Sequence, residues 1–438
     1  MKLVKMSLLA ATLIASSAFA IDNVKVSGDA KLYYSTNDGI AAVGGGADSD
    51  AALFRQENSA GQAGLSLGMT ADLTEGVSAG IKANALSTLG LQNNLVANVW
   101  EGTAVGGGSV DGSLINGLKD QFWVSEAWVA GTLGNTTGKI GRMQLDTPLV
   151  FSETWSMAPN TFEAAVLINQ DIPSTTLVAA YVGSSNGSEG DATGNGGTNA
   201  SFAGVLAGGQ DDTNSPFHSF WNGAYAFGAV NNSWEPLTVQ AWYFQAQHLL
   251  NAYWIQADLN IIGLDFGAQY TGLSVTDAVA PTGDQSNDAF AVKVGYEMKD
   301  TFTVSAAYSQ TGKNDNGIGA GANLAGYGQS KLYTEAWWNY GYITMNDTSA
   351  FNVTATTPES LTWVSLGLYV TQATVTDGMG AGTDLDMTEV TLSASKSFGP
   401  LDASLVYINT AADDQNIKAG DTKGSAFNTV QAYLTYNF

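Results

Sequence analysis

Side chains of alternating polarity recur along this chain from one end to the other, and this pattern constrains the fold more than any other feature. Apolar residues alternate with small or polar residues in the segments 24–35, 253–260, 262–270 and 364–371, whereas no long helical pattern occurs. Because successive side chains of a strand point to opposite faces, each segment predicts a strand with one apolar face. A membrane-spanning β-barrel around a water-filled interior has strands of this kind.

The spacing of the turns predicts how the strands are connected. Short turns are expected at 73–76, 134–137, 171–174, 231–235, 299–300 and 398–400. Long polar loops are expected at 36–59, 89–120, 184–217, 274–288, 312–330 and 411–425. Short turns at one rim and long loops at the other are typical of outer-membrane barrels, which have an even number of strands.

The sequence therefore predicts an all-β fold, a transmembrane antiparallel β-barrel of about 18 strands with short periplasmic turns and long extracellular loops. The expected strand centres are residues 30, 66, 82, 127, 144, 166, 179, 224, 241, 255, 267, 294, 306, 335 to 355, 367, 392, 405 and 432. The segment 331–357 is the least regular, since it can hold one kinked strand or more.

The two ends of the chain indicate export and barrel closure. Residues 1–20 combine Lys2 and Lys5 with a short apolar run and the sequence Ala18-Phe19-Ala20, which are the features of a secretory signal peptide. We expect residues 21–438 to form a single barrel domain. The last eleven residues alternate in polarity and end in Phe438, as the closing strand of a bacterial outer-membrane barrel does.

Composition limits the classes of function. Only 13% of residues are charged, about half the usual fraction, and the 40 acids outnumber the 16 bases to give a net charge of −24. This balance argues against nucleic-acid binding and favours cations as partners. There is no cysteine, so disulfides and cysteine-ligated metals are excluded. His218 and His248 are the two histidines, and neither has a neighbouring nucleophile on its own face, so we do not expect an enzyme.

One segment lacks the strand pattern and has the features of a loop folded into the barrel. Pro148 and Pro159 bracket it, and proline does not fit inside a sheet ladder. Unlike most other loops of this chain, the segment 149–160 contains no glycine. We expect a constriction loop at about 149–161 that narrows a pore, flanked by strands on both sides.

Charged and aromatic residues around this loop are the candidate pore constriction. They are Arg142, Asp146, Glu153, Trp155 and Glu163. Acidic side chains in a pore select cations, and an arginine facing acids would create a transverse field. Further acids fall on the polar faces of predicted strands: Asp29, Asp258, Asp265 and Asp402. The alternative is that all these acids are simply hydrated lumen residues.

Acidic pairs in the predicted loops are candidate calcium ligands, because hard divalent cations bind grouped carboxylates. The pairs are Asp48 and Asp50, Glu189 and Asp191, Asp211 and Asp212, Asp384 and Asp386, and Asp413 and Asp414. None of them matches the twelve-residue calcium-loop signature. No cofactor is required by this interpretation, and solvated loops that repel one another are the alternative.

Two segments resemble a known family. GRMQLDTPLVFSETWSMAPNTFEAAV, residues 141–166, is similar to the third-loop region of the major outer-membrane porins of campylobacters and related epsilon-class bacteria. More distantly it resembles the OprD-type channel family, with which it shares a G-R-x, T-P and P-x-T-F pattern. KLYTEAWWNYGY, residues 331–342, is also similar to the campylobacter-type porins.

The resemblance implies a homotrimer in the outer membrane, among its lipids and lipopolysaccharide, with the third loop constricting each pore and a preference for cations. Calcium is also associated with this family. The OprD type has a ladder of basic residues that guides carboxylates, and two arginines cannot build one, so its substrate specificity is not carried over.

Three functions remain open from the sequence. The first is a cation-selective porin for passive diffusion of small hydrophilic solutes. The second is a substrate-specific channel, in which Trp155 and Arg142 would form a binding step. The third is a surface adhesin or calcium-dependent scaffold, in which conduction would be incidental.

Overall fold

The alternating segments form the strands of a single sheet in the computed structural model, which describes residues 22–39, 52–96, 121–154, 157–186, 218–326, 328–376, 382–418 and 420–438. The first nine strands are β1 (Asp22–Asn37), β2 (Ser59–Thr74), β3 (Val77–Ser87), β4 (Gln121–Leu133), β5 (Thr136–Met143), β6 (Phe162–Asn169), β7 (Thr175–Ser185), β8 (His218–Trp234) and β9 (Leu237–Ala246). The other nine are β10 (Leu250–Ile261), β11 (Leu264–Val275), β12 (Ser286–Met298), β13 (Phe302–Thr311), β14 (Thr348–Thr357), β15 (Ser365–Val375), β16 (Leu385–Phe398), β17 (Leu401–Ala412) and β18 (Phe427–Asn437). The predicted signal peptide lies outside the described residues.

The sheet closes on itself into a barrel. Each strand pairs antiparallel with its neighbours in sequence, and β1 pairs with both β2 and β18. The closing ladder aligns Tyr33 with Tyr433 and Asp29 with Asn437. Closure satisfies the backbone donors and acceptors that an edge strand would leave free. The predicted all-β, antiparallel barrel of 18 strands is therefore confirmed.

The predicted strand positions differ from the structure at two places. The expected fifth centre, residue 144, lies just beyond the end of β5 at Met143. The irregular segment expected at 335–355 contains one strand, and β14 occupies its second half, Thr348–Thr357. Residues 331–347 form no strand, and wall side chains of the barrel bind backbone groups of this segment at Lys331 and Asn339.

Helical structure is confined to single turns in the part of the chain that the structure describes. These turns are Gln56–Asn58, Leu91–Asn93, Tyr340–Thr344 and Glu359–Thr362. Among the described residues, no helix is long and apolar enough to cross a membrane.

The outer face of the barrel is apolar between two rows of aromatic side chains. Near the long loops the rings of Tyr181 and Tyr225 are 5.5 Å apart, and those of Tyr253 and Tyr270 are 5.7 Å apart. Near the short turns, Tyr436 contacts the ring of Phe438. Exposed valines, leucines and isoleucines lie between the rows. Transmembrane barrels present an outer face of this kind to lipid.

Candidate functional site

The β5–β6 loop, residues 144–161, of which residues 155 and 156 are not described, leaves the barrel wall and folds into the interior. At its start Thr147 and Val150 exchange two hydrogen bonds through the threonine Oγ1, of 2.6 and 3.1 Å, around Pro148. This tight turn buries Leu149, which belongs to an apolar cluster with Trp254 of the wall. The Thr-Pro sequence therefore fixes the direction in which the loop enters the barrel.

The far end of the same loop packs against another part of the wall. Met157 is buried in a cluster with Tyr33, Leu86 and Trp123, which belong to β1, β3 and β4. The Nζ atom of Lys31 donates a hydrogen bond of 3.1 Å to the Met157 carbonyl. The loop thus touches two separate sectors of the wall. Of the candidate constriction residues, Trp155 lies outside the described residues.

A second loop also lies inside the barrel, and the sequence did not predict this. It is the β13–β14 loop, residues 312–347, of which residue 327 is not described. The side chain of Gln269 on β11 donates to the Lys331 carbonyl at 2.8 Å and accepts from the Tyr333 amide at 3.1 Å. The Tyr333 hydroxyl donates to Asp258 on β10 at 2.5 Å. The loss of strand alternation in 331–342 was the available signal.

Glu389 on β16 binds the other end of the second loop. Its carboxylate is 1% exposed and accepts hydrogen bonds from the backbone amides of Trp337, Trp338 and Asn339, at 2.7, 3.1 and 2.8 Å. The Asn339 side chain donates a further bond of 2.7 Å. Backbone amides converging on one carboxylate form a strong, charge-assisted site. Glu389 was not a sequence candidate, because a lone acid on a polar strand face gives no distinctive signal.

Glu153 joins the two loops. Its carboxylate accepts hydrogen bonds from the Asn323 side chain at 3.0 Å and from the Gln329 amide at 3.2 Å, and both partners belong to the β13–β14 loop. Asn323 also donates to the Phe151 carbonyl at 2.9 Å. Glu153 is 2% exposed. The sequence placed its charge at the pore surface, but the structure places it inside the packing between the loops.

Glu335 is a third carboxylate in this loop assembly. It accepts hydrogen bonds from the backbone amide and the hydroxyl of Ser330. Burial raises the pKa of Glu335 well above its ordinary value, and the nearby charges of Glu153 and Glu389 add to the shift. The loop interior is therefore an environment that disfavours an additional negative charge.

Asp146 and Lys331 form an ion pair between the two loops. The side chain of Asp146 is 87% exposed and that of Lys331 is 33% exposed, so both charges face water. The Lys331 ammonium also lies 4.9 Å from the centre of the Phe151 ring. Of the predicted constriction acids, Asp146 is the one whose charge reaches the aqueous interior within the described residues.

Acids and lysines share the interior of the wall. Asp29 lies 3.6 Å from Lys31 and 3.8 Å from Lys82, so that two ammonium groups face one carboxylate. Lys293 and Asp265 form a separate pair at 2.7 Å. The polar strand faces predicted these acids. The lysines follow the same alternation but were not among the predicted site residues.

Arg142 and Glu163 form an ion pair of 2.7 Å on the other side of the wall. They pair across β5 and β6, and so do Met143 and Phe162, which are buried on the inner face. Because strand side chains alternate, Arg142 and Glu163 lie on the outer face, which they share with Ile140, itself 65% exposed. Arg142 therefore does not face the pore, and the predicted transverse field is absent from this arrangement.

The acidic loop pairs show no metal site in the described part of the chain. Within it, no group of three or more histidines, aspartates or glutamates is close enough to hold an ion. Asp413 accepts hydrogen bonds from the Lys423 ammonium at 2.6 Å and from the Asp386 amide at 3.3 Å. The other pairs, Asp48 with Asp50, Glu189 with Asp191, and Asp211 with Asp212, lie outside the described residues.

A cavity of about 900 Å³ lies between the β13–β14 loop and the wall. Leu149, Leu273 and Leu324 give it an apolar side, whereas Lys313 and Asn316 lie on a polar side. Its volume is in the range of small-molecule sites, and such sites combine apolar walls with a few polar groups.

Comparison with known proteins gives the fold a clear parallel. No protein-family profile and no curated protein matches the chain. Among solved structures, OccK9 (OpdG) of Pseudomonas aeruginosa is similar over 95% of this chain and 99% of its own, with a TM-score of 0.69 and 14% identity. OccAB2 of Acinetobacter baumannii is similar over 96% and 99%, with a TM-score of 0.68 and 15% identity. The outer membrane protein OpdK of P. aeruginosa, also solved with vanillate, is similar over 96% and 100%, with a TM-score of 0.66 and 15% identity.

Proposed function

We propose that this protein is an outer-membrane channel through which small hydrophilic solutes diffuse, with a preference for cations. The observation that carries the proposal is the pair of loops fixed inside a closed 18-stranded barrel. An apolar outer face suits a bilayer, and a charged inner face suits a water-filled lumen. The likeness to OpdK, an outer membrane protein of P. aeruginosa, agrees with this location.

The proposed cation preference comes from the mouth of the channel. Acids prevail among the described residues of the long loops and the adjoining strand ends: Asp38, Glu57, Asp277, Asp284, Asp288, Asp315, Asp347, Asp384, Asp386, Asp413, Asp414 and Asp421. The bases in the same regions are Arg55, Lys313, Lys418 and Lys423, and Lys331 lies farther inside, where it pairs with Asp146. A concentration of one sign of charge at a low-dielectric rim attracts counter-ions. The charged side chains inside the barrel are largely paired with opposite charges, so they contribute less to the cation preference.

The test is single-channel recording of the purified full-length protein in a planar bilayer with a salt gradient. Stepwise conductance with a cation-selective reversal potential would support the proposal. Folded protein that gives no conductance steps would refute the channel and favour the scaffold or adhesin alternative. Steps with an anion-selective potential would refute the cation preference and keep the channel.

A substrate-specific channel for small carboxylates is the second candidate. Lys31 and Lys82 share one carboxylate, which leaves a positive charge on the inner wall, and Lys139 lies 4.0 Å from the Trp128 ring. The crystal structure of OpdK with vanillate is a structural parallel. Block of single-channel current by micromolar benzoate-type carboxylates would favour this candidate, whereas current unaffected at millimolar concentration would exclude it.

We also propose that the wall around Arg142 and Glu163 contacts another copy of the chain in a homotrimer. A charged pair on an otherwise apolar outer face is costly in lipid, and burial against protein removes this cost. Chemical crosslinking in membranes, compared between wild type and Arg142→Ala with Glu163→Ala, tests the contact. Equal trimer yields would show that this pair is not in the interface.

A further inference from the structure

We propose that Glu389 is the positioning residue that fixes the β13–β14 loop inside the barrel and thereby sets the size limit of the pore. This inference rests on the proposed channel function. It assigns a role to a wall residue that never faces the solute, because its side chain is buried.

Most of the hydrogen bonds of the Glu389 carboxylate come from the loop, and the Thr391 hydroxyl of the same strand donates one more at 3.4 Å. The oxygens of its carboxylate accept from three successive backbone amides and from the Asn339 side chain. Among the described residues, no lysine or arginine forms an ion pair with Glu389. Its charge is therefore balanced by loop N–H dipoles, and loop and carboxylate stabilise each other.

The wall provides a rigid base for this contact. Glu389 pairs in the sheet with Thr371 of β15 and with Thr410 of β17, so its backbone is held from both sides. The Asn339 side chain also donates to the Thr410 hydroxyl at 3.0 Å. Strand positions on both sides restrict the side chain more than a loop position would.

Other contacts hold the loop on either side of residues 337–339, where Thr334 bonds to Ser309 of β13 and Tyr342 bonds to Asp414. Residues 331–347 pair with no strand, and side chains of the wall hold them instead. Gln269 on β11 binds the loop at Lys331 and Tyr333, and Glu389 on β16 binds it at 337–339. These two attachment points lie on different sectors of the barrel, so the loop spans the interior between them. Loss of the Glu389 contact would therefore release the short segment between Thr334 and Tyr342.

Replacing the carboxylate by an amide isolates this function. Glu389→Gln keeps the volume of the side chain but exchanges one acceptor oxygen for an NH₂ donor. That donor would face the amides of 337–339, and donors do not bind donors. We expect the segment around residues 337–339 to leave the wall and the size exclusion limit of the pore to rise.

The experiment compares wild type, Glu389→Gln and a control, Asp402→Asn, in liposomes and planar bilayers. Asp402 lies on the neighbouring strand β17 and bonds to Ser397 and Asn437, not to the loop. Swelling with neutral sugars of increasing size measures exclusion without an effect of charge. Glu389→Gln should admit sugars that wild type excludes and should raise the single-channel conductance, whereas Asp402→Asn should keep the wild-type limit.

A reversible disulfide between the loop and the wall distinguishes loss of the loop contact from a general folding defect. Two cysteines are introduced into the Glu389→Gln variant by Asn339→Cys and Thr410→Cys. Because the chain has no other cysteine, only one disulfide can form within it. Oxidation should restore the wild-type exclusion limit, and reduction should abolish it again. If Glu389→Gln fails to fold, Asn339→Ala takes its place, because it removes the side-chain bonds of Asn339 to Glu389, Thr410 and Gln415.

The outcomes separate the two proposals. Wild type that conducts, together with Glu389→Gln that keeps the wild-type exclusion limit, overturns the positioning role and leaves the channel intact. Wild type that forms no pore overturns the proposed function itself. In that case, cleavage of the loop by protease in Glu389→Gln but not in wild type would still support the positioning role, and equal resistance would overturn it.

Discussion

The ion pair between Asp146 and Lys331 offers a direct test of how charge in the lumen controls selectivity. We expect Lys331→Gln to increase the preference for cations, because the exposed Asp146 carboxylate then has no ammonium beside it. Asp146→Asn should have the opposite effect, and the double variant should lie near wild type. Lys331→Arg keeps the charge and serves as the control.

The magnitude follows from Coulomb's law for an ion passing the pair. One unit charge acts on a monovalent ion at about 5 Å with about 0.8 kcal/mol in water. A Debye length of about 8 Å at physiological salt reduces this to about 0.4 kcal/mol. The cation concentration beside the pair then rises about twofold and the anion concentration falls about twofold, so the permeability ratio should change about fourfold.

Reversal potentials in a salt gradient measure the permeability ratio, and recordings at high salt test the mechanism. Screening shortens the Debye length to about 3 Å at 1 M salt, so the change in the permeability ratio should fall to less than about twofold there. The reasoning is refuted if Lys331→Gln conducts with a wild-type sugar exclusion limit and its reversal potential is unchanged or shifts toward anions.

Three further predictions use other parts of the structure. Glu163→Gln should leave the reversal potential unchanged, because Glu163 lies on the outer face; a shift as large as that of Asp146→Asn would place it in the lumen. The pKa of Glu335 is raised in the folded loop. Between the ordinary pKa of 4.5 and this higher value, the folded loop therefore binds more protons than the unfolded loop. The stability of the loop consequently falls as the pH rises through that window. Glu335→Gln should therefore remove this pH dependence and slow proteolysis of the β13–β14 loop at pH 7, and a variant that retains the wild-type pH profile would contradict the assignment. Trp254→Ala should lower the free energy of unfolding by about 3–5 kcal/mol, because the side chain is fully buried. Urea unfolding in detergent measures this free energy for Trp254→Ala and for the control Ile140→Ala, whose side chain is exposed.

The barrel could be predicted from the sequence because its signal is local. In the segment 262–270, for example, the polarity of each residue predicts the face of the strand on which it lies, and β11 follows that pattern. A slip of one residue would turn every apolar side chain toward water, so the alternation also fixes the register. Pro148 and Pro159 similarly indicated a segment outside the sheet, since proline has no backbone N–H to donate to the ladder of a central strand.

The interior required the tertiary structure, because its contacts join residues far apart in the chain. Glu153 meets Asn323 and Gln329, and Glu389 meets Trp337 to Asn339, yet nothing near any of these residues indicates a partner. A carboxylate in a loop has the same sequence signature whether it lines a pore or binds buried amides. The sequence thus determined the barrel wall and the identity of its charges. Only the closed fold decided which charges face water, because burial depends on what the other loop covers.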